Sequence, residues 1–110
     1  MKTQTIQKSR SHHDATAVLT LKGLIGTGSG CELRDNLLGA VRSAQTVIID
    51  FTGADVRDSS ILACLVEGLQ IARKRGVDFF LTSLSEEAER ILVLFRLHRV
   101  FKVVDRTAQA

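Results

Sequence analysis

Asp58-Ser59-Ser60 stands out in this 110-residue chain for both its residue types and its spacing. Asp and Ser are N-cap residues, whose side-chain oxygens accept from the exposed N–H groups of a helix's first turn. The residues that follow, Ile61, Leu62, Leu65, Val66, Leu69 and Ala72, recur at helical spacing. One residue is enough to cap that helix, and three capping residues stand in a row. A spare hydroxyl at such a position is a good phosphate acceptor. The phosphate adds about −1.5 to −2 charges where the helix N-terminus tolerates them, and the same charge disrupts a protein interface.

The other reactive residues lead to less. His12, His13 and Asp14 are adjacent, which splays their side chains, whereas a metal needs ligands converging from another element. His98 is the only other histidine and nothing in the sequence links it to the pair, so a solvated turn is expected and no metal site. Cys64 falls beside the apolar stripe and reads as a buried structural thiol. A cysteine nucleophile needs a base and a group to orient it, and neither Gly-x-Ser-x-Gly nor His-Glu-x-x-His occurs. The reading is of no catalytic residues, no cofactor and no enzyme. Gly23, Gly26, Gly28 and Gly30 suggest an anion cradle ahead of a helix. The run lacks the Gly-Lys-Ser/Thr ending of a phosphate loop, and dinucleotide spacing fails at Cys31 and Leu33, leaving a flexible connector.

The elements that must position these residues follow from periodicity. A weak alternation over 3–8 suggests an edge strand. Residues 17–21 read as a strand with Val18 and Thr20 on one face and Leu19 and Leu21 on the other. A helix over 31–43, capped by Ser29, carries the stripe Leu33, Leu37, Ala40 and Val41. Val47-Ile48-Ile49 within 46–51 is a continuous apolar run, expected of a strand covered on both faces. A link over 52–57 leads to Asp58-Ser59-Ser60 and the helix they open, which Gly76 stops after Arg73-Lys74-Arg75. Residues 77–81 form the next strand. Ser83 or Ser85 caps a last helix that buries Ala88, Ile91, Leu92 and Phe95. Residues 100–104 are a final short strand or a docked tail. Strand, helix, strand, helix, strand forces a largely parallel sheet, so the chain is α/β, one domain over 1–110.

Composition excludes several classes. With 45% hydrophobic and 25% charged residues the chain is no disordered tail. A net charge of +3 and five Phe, without Trp or Tyr, argue against direct nucleic-acid binding. No apolar run approaches the roughly 18 residues of a membrane span. The N-terminus has no secretory pattern, and two isolated cysteines suit reduced thiols, so a cytoplasmic protein is expected. Arg90, Arg96, Arg99, Lys102 and Arg106 outnumber Glu89 and Asp105 near the C-terminus. That makes a solvated basic face, or a complement to an acidic partner or a membrane surface.

Three blocks of the chain resemble the STAS domain family of bacterial anti-sigma factor antagonists: Val47-Ile48-Ile49-Asp50-Phe51, Val56-Arg57-Asp58-Ser59-Ser60-Ile61-Leu62 and Ala72-Arg73-Lys74-Arg75-Gly76-Val77. A fourth, from Ala88-Glu89-Arg90-Ile91-Leu92 to Leu97-His98-Arg99-Val100-Phe101, is similar to the family's last helix and C-terminal end. The likeness spans about 15–105. It implies a mixed, largely parallel sheet with helices packed over it. It also implies partner switching: the unphosphorylated domain binds an anti-sigma factor that is a serine kinase, phosphorylation breaks the complex, and a PP2C-type phosphatase restores it.

Carried onto this chain, the family motif Asp-Ser-Ser/Thr-Gly-Leu makes Ser59 the phosphoacceptor, with Ser60 the second choice. Asp58, Ser59, Ser60 and Ile61 then form the contact, bordered by Gly26, Thr27 and Gly28. Ile61 stands where the family has Gly, which either restricts approach to Ser59 or moves the exposed hydroxyl to Ser60. Gly23-Leu24-Ile25-Gly26 replaces a frequent Gly-Glu-Leu-Asp and leaves the loop less polar. The resemblance has two rival readings, an accessory subunit on the ATPase of a lipid ABC transporter and an anion- or nucleotide-sensing module.

Overall fold

The computed structural model describes residues 4–10, 16–25, 30–56 and 59–104. In chain order these are β1 (Gln4–Arg10), β2 (Thr16–Ile25), α1 (Gly30–Ser43), β3 (Thr46–Val56), α2 (Ser60–Arg75), β4 (Asp78–Thr82), α3 (Glu86–Leu94) and β5 (Lys102–Val104). The five strands lie side by side in sequence order. β1 is an antiparallel edge on β2, and each later neighbour is parallel. The expected mixed, largely parallel sheet is therefore present, weak N-terminal strand included.

Sequential order fixes where the helices go. Parallel crossovers are right-handed, and three that advance in one direction across a sheet deliver α1, α2 and α3 to the same face. Residue burial agrees. Ala17, Leu19 and Leu21 on β2, Val47 and Ile49 on β3, and Phe79 and Leu81 on β4 are all buried. They pack with Leu33, Leu37, Ala40 and Val41 of α1, Leu65, Leu69 and Ala72 of α2, and Ala88 and Leu92 of α3. The opposite face differs from the expectation for β3. Val18, Ile48 and Phe80 share one register row and are only half-buried, because every helix lies on the other side.

Two segments expected to be connectors are strand. β2 runs on through Gly23-Leu24-Ile25, and β3 runs on through 52–56. They pair with each other, Lys22 opposite Gly53 and Ile25 opposite Val56, beyond a register shift between Thr20 and Lys22. Gly23, at φ 88°, supplies a backbone conformation that other residues adopt at a cost. Pairing of segments about thirty positions apart leaves no local periodicity to find.

Helix ends follow their chemistry. Gly76 ends α2 at φ 71°, with its N–H donating to Arg73 O and the Val77 N–H to Ala72 O. Gly68 sits mid-helix where a Cβ would meet Leu37 Cδ1 at 3.3 Å and Phe79 Cε2 at 3.4 Å, so its bareness lets α2 settle closely on α1 and β4. Ser85 caps α3, its hydroxyl accepting from the Ala88 N–H at 3.1 Å. That helix stops at Leu94, one residue short of the predicted stripe, so Phe95 is 53% exposed rather than buried. Arg96, at φ 60°, turns the chain, and the Leu97 N–H donates to Leu92 O at 2.8 Å. Phe101 takes the core place instead, its ring centroid 6.2 Å from that of Phe79.

Candidate functional site

β2 and β3 end side by side at Ile25 and Val56, and both helices that follow start from that end of the sheet. The two segments singled out in the sequence therefore leave from paired strand termini. Gly26, Thr27 and Gly28, the Ser29 cap, Arg57 and Asp58 lie outside the described residues. So do His12, His13 and Asp14.

Ser59 is the N-cap residue of α2, with φ −85° and ψ 3°. Its hydroxyl makes no capping hydrogen bond, since its backbone does not take the extended conformation that aims a cap side chain at the first turn. The Ser59 carbonyl does enter the helix ladder, accepting from the Leu62 N–H at 3.0 Å. No acidic side chain stands in the first turn of α2, whereas α3 carries Glu86, Glu87 and Glu89 there. The positive end of the α2 dipole thus has no carboxylate in its own first turn. Ser60 opens the helix proper and is exposed.

Ile61 is 4% exposed and shares the walls of a small apolar void with Phe51, Val56, Leu84, Ala88 and Ile91. The Ile61 side chain therefore points into the core. It neither covers Ser59 nor moves the helix start past it.

Ser59 also stands at one end of an open, mostly apolar groove. Leu62, Ala63, Val66, Glu67 and Gln70 of α2 line one side, and Phe95 and Leu97 line the other. On α2 these positions recur at helical spacing, one face round from Leu65, Leu69 and Ala72. The sequence does not show this second stripe, because its apolar members are few and periodicity places Phe95 in the core. Glu67 closes the rim by pairing with Arg34 of α1, two N–H···O bonds of 2.8 Å each. The Arg34 hydrogen bonds hold the Glu67 carboxyl below its usual range, and raise Arg34 in turn.

Cys64 is buried, where a structural thiol is expected. Asp50 is 1% exposed, and its Oδ1 accepts from the Thr52 N–H at 3.0 Å and the Thr52 hydroxyl at 2.6 Å. Buried carboxylates need such donors, and here they come from its own strand. Among the described residues no three His, Cys, Asp or Glu side chains gather into a metal site, and no helix is long and apolar enough to cross a membrane. A sheet whose strands run in sequence order also lacks the reversal point where open α/β sheets form their nucleotide crevice.

A family model described as the STAS domain matches residues 7–110, nearly all of the chain and β1 from Gln7 onward. Among solved structures, the anti-sigma factor antagonist SpoIIAA in its unphosphorylated form is similar at a TM-score of 0.80 and 17% identity, over 96% of this chain and 90% of that one. The phosphorylated form of SpoIIAA from Bacillus aligns at 0.74 and 17%, over 96% and 94%. An anti-sigma-factor antagonist (STAS) domain protein from Planctomyces limnophilus aligns at 0.78 and 19%, over 94% and 92%. At these identities the structural likeness speaks for the fold.

Proposed function

The chain belongs to the STAS domain family, and we propose that it acts as an anti-sigma factor antagonist: a non-enzymatic binding module switched by phosphate on Ser59. Its partner in this reading is a kinase-type anti-sigma factor, which seats on the α2 groove beside Ser59, Ser60 and the 26–28 loop. A PP2C-type phosphatase reverses the modification.

One observation carries the reading. Ser59 holds the N-cap position of α2, spends no hydroxyl on capping, and stands at the end of an apolar groove. A phosphate there stands at the positive end of the α2 dipole, whose first turn holds no carboxylate to repel it. A partner seated in the groove meets that charge across a desolvated apolar contact, which is where it disrupts most. SpoIIAA, a structural neighbour of this chain, is solved in both unphosphorylated and phosphorylated forms.

The test is phosphate mapping after incubation with ATP and an extract of the native cells. Cleavage after Arg57 and Arg73 isolates residues 58–73, whose only hydroxyl side chains are Ser59 and Ser60. Phosphate on Ser59, with Ser59→Asp weakening capture of an ATP-binding partner and Ser59→Ala binding constitutively, is the expected result. Phosphate on Ser60 moves the switch one residue. An unphosphorylated peptide from an extract active on another substrate, with both variants binding like wild type, sinks it.

A further inference from the structure

The end of α3 exposes three consecutive apolar side chains, Val93 at 54%, Leu94 at 70% and Phe95 at 53%. Successive helical residues point about 100° apart, so the three fan out around the helix end rather than forming one flat stripe. Their neighbours confirm the fan. Val93 shares a hollow with Leu84, Glu89, His98 and Val103 on the β5 side, while Phe95 walls the α2 groove with Leu97. Val103 adds a further exposed apolar side chain beside Val93, at 47%.

Cations frame this tip. Arg90 lies one turn before Leu94 on the same helix face. Arg96 follows Phe95 directly, and Arg99 and Lys102 come next, all exposed. Residues 90–104 hold four Arg or Lys and no Asp or Glu. Of the acids in the first turn of α3, Glu86 and Glu87 stand at the far end from Leu94, and Glu89 borders the hollow beside Val93. Arg96 also keeps φ 60°, a left-handed conformation that glycine adopts more readily than other residues. A glycine there would adopt it at lower cost, with the loss of a cation on the tip.

From this arrangement we propose that the C-terminal tip of α3 docks on an anionic lipid surface. Leu94 and Phe95 enter the headgroup boundary, and Arg90, Arg96, Arg99 and Lys102 lie among the lipid phosphates. A rigid protein surface meets one direction of the fan, whereas acyl chains close around all three side chains. Charge selects the lipid, since a basic apolar tip is drawn to anionic headgroups and gains little from neutral ones. The proposal does not depend on Ser59.

The full chain is sedimented with vesicles of phosphatidylcholine, and with vesicles in which roughly one lipid in three is phosphatidylglycerol. Wild type is expected to partition about tenfold or more in favour of the anionic vesicles, and to be released as salt shortens the screening length. Leu94→Ser with Phe95→Ser is expected to lower that partition at least tenfold, as roughly two exposed apolar side chains are lost. Arg90→Glu with Arg96→Glu is expected to remove the preference for anionic lipid. Because all four side chains are exposed, thermal melting of each variant checks that it remains folded. Wild type left in the supernatant with both vesicle types overturns the proposal, as does an apolar variant that sediments like wild type. An acidic protein held by wild type in the absence of vesicle binding also overturns it, and makes the tip a protein contact.

Discussion

Replacing Ile61 by alanine tests the geometry on which access to Ser59 depends. The Ile61 side chain is 4% exposed and walls an apolar void of about 10 Å³ together with residues of β3 and α3. Truncating a buried Ile to Ala costs about 2–5 kcal/mol, according to how far the site collapses. Here the new cavity joins an existing void between three elements, which limits collapse, so a loss of about 3 kcal/mol is expected. At about 2.1 cal/mol/K per residue, a chain of this length unfolds with roughly 0.23 kcal/mol/K, and the midpoint falls by about 13 °C. Ile61→Val removes one methylene and is expected to cost about 1 kcal/mol. Urea and thermal unfolding of the two variants measure both values, with the Cm shift read at constant m. An Ile61→Ala loss under about 0.5 kcal/mol, the size of an ordinary surface change, refutes the inward orientation. Ile61 would then stand outside, over Ser59, and its place in the family motif would be a barrier to the kinase.

Three further outcomes follow from local geometry. Ser85→Ala removes a cap bond and is expected to cost about 1 kcal/mol, whereas Ser59→Ala, which removes none, stays within about 0.5 kcal/mol; equal losses in urea unfolding would show that Ser59 caps after all. Gly76→Ala places a Cβ at φ 71° and is expected to destabilise by about 1 kcal/mol, while Arg96→Gly at φ 60° stabilises by up to about 1 kcal/mol; calorimetry reads the opposite signs. The Glu67 carboxyl is held low by Arg34, so its folded-state pKa lies under its unfolded value. The pair therefore stabilises above the unfolded pKa, near 4.3, and that stability is lost as pH falls through the folded pKa. Stability profiles of wild type and Glu67→Gln are expected to converge in acid, and a difference that persists at low pH would assign the effect to something other than ionisation.

Much of the fold was legible because its signals are local. The stripe Leu33, Leu37, Ala40 and Val41 marks a helix face within twelve positions, and Gly76 after three cations marks a helix end. The extensions of β2 and β3 were not legible. Leu24 is exposed and Ile25 buried, opposite Asp55 and Val56, so each segment alternates for too few residues to register alone. Only the partner strand makes either one a strand. Phe95 failed for a different reason: periodicity predicts a stripe but not the residue at which the helix stops. The stop comes from the left-handed turn at Arg96, a residue type that gives no warning of it.

The candidate site divides in the same way. Asp58-Ser59-Ser60 draws attention in the sequence because three capping residues exceed what one helix end can use. Its surroundings were not readable, because they depend on which face of α2 is left over once the core has taken its share. Ile61, Leu65, Leu69 and Ala72 go inward, and Gly68 lets the helix sink until Leu37 and Phe79 touch its backbone. What remains outside is Ala63, Val66 and Gln70, over the buried Leu62, too weakly apolar to look like a binding face in sequence. The exposed wall at Phe95 and Leu97 makes it a groove, and that wall exists only because α3 ends early. In the proposed function, phosphate on the Ser59 hydroxyl sets whether the groove can be desolvated. That proposal expects Ser59 to contribute little to stability and much to binding, and the contrast between those two measurements on one substitution separates a regulatory serine from a structural one.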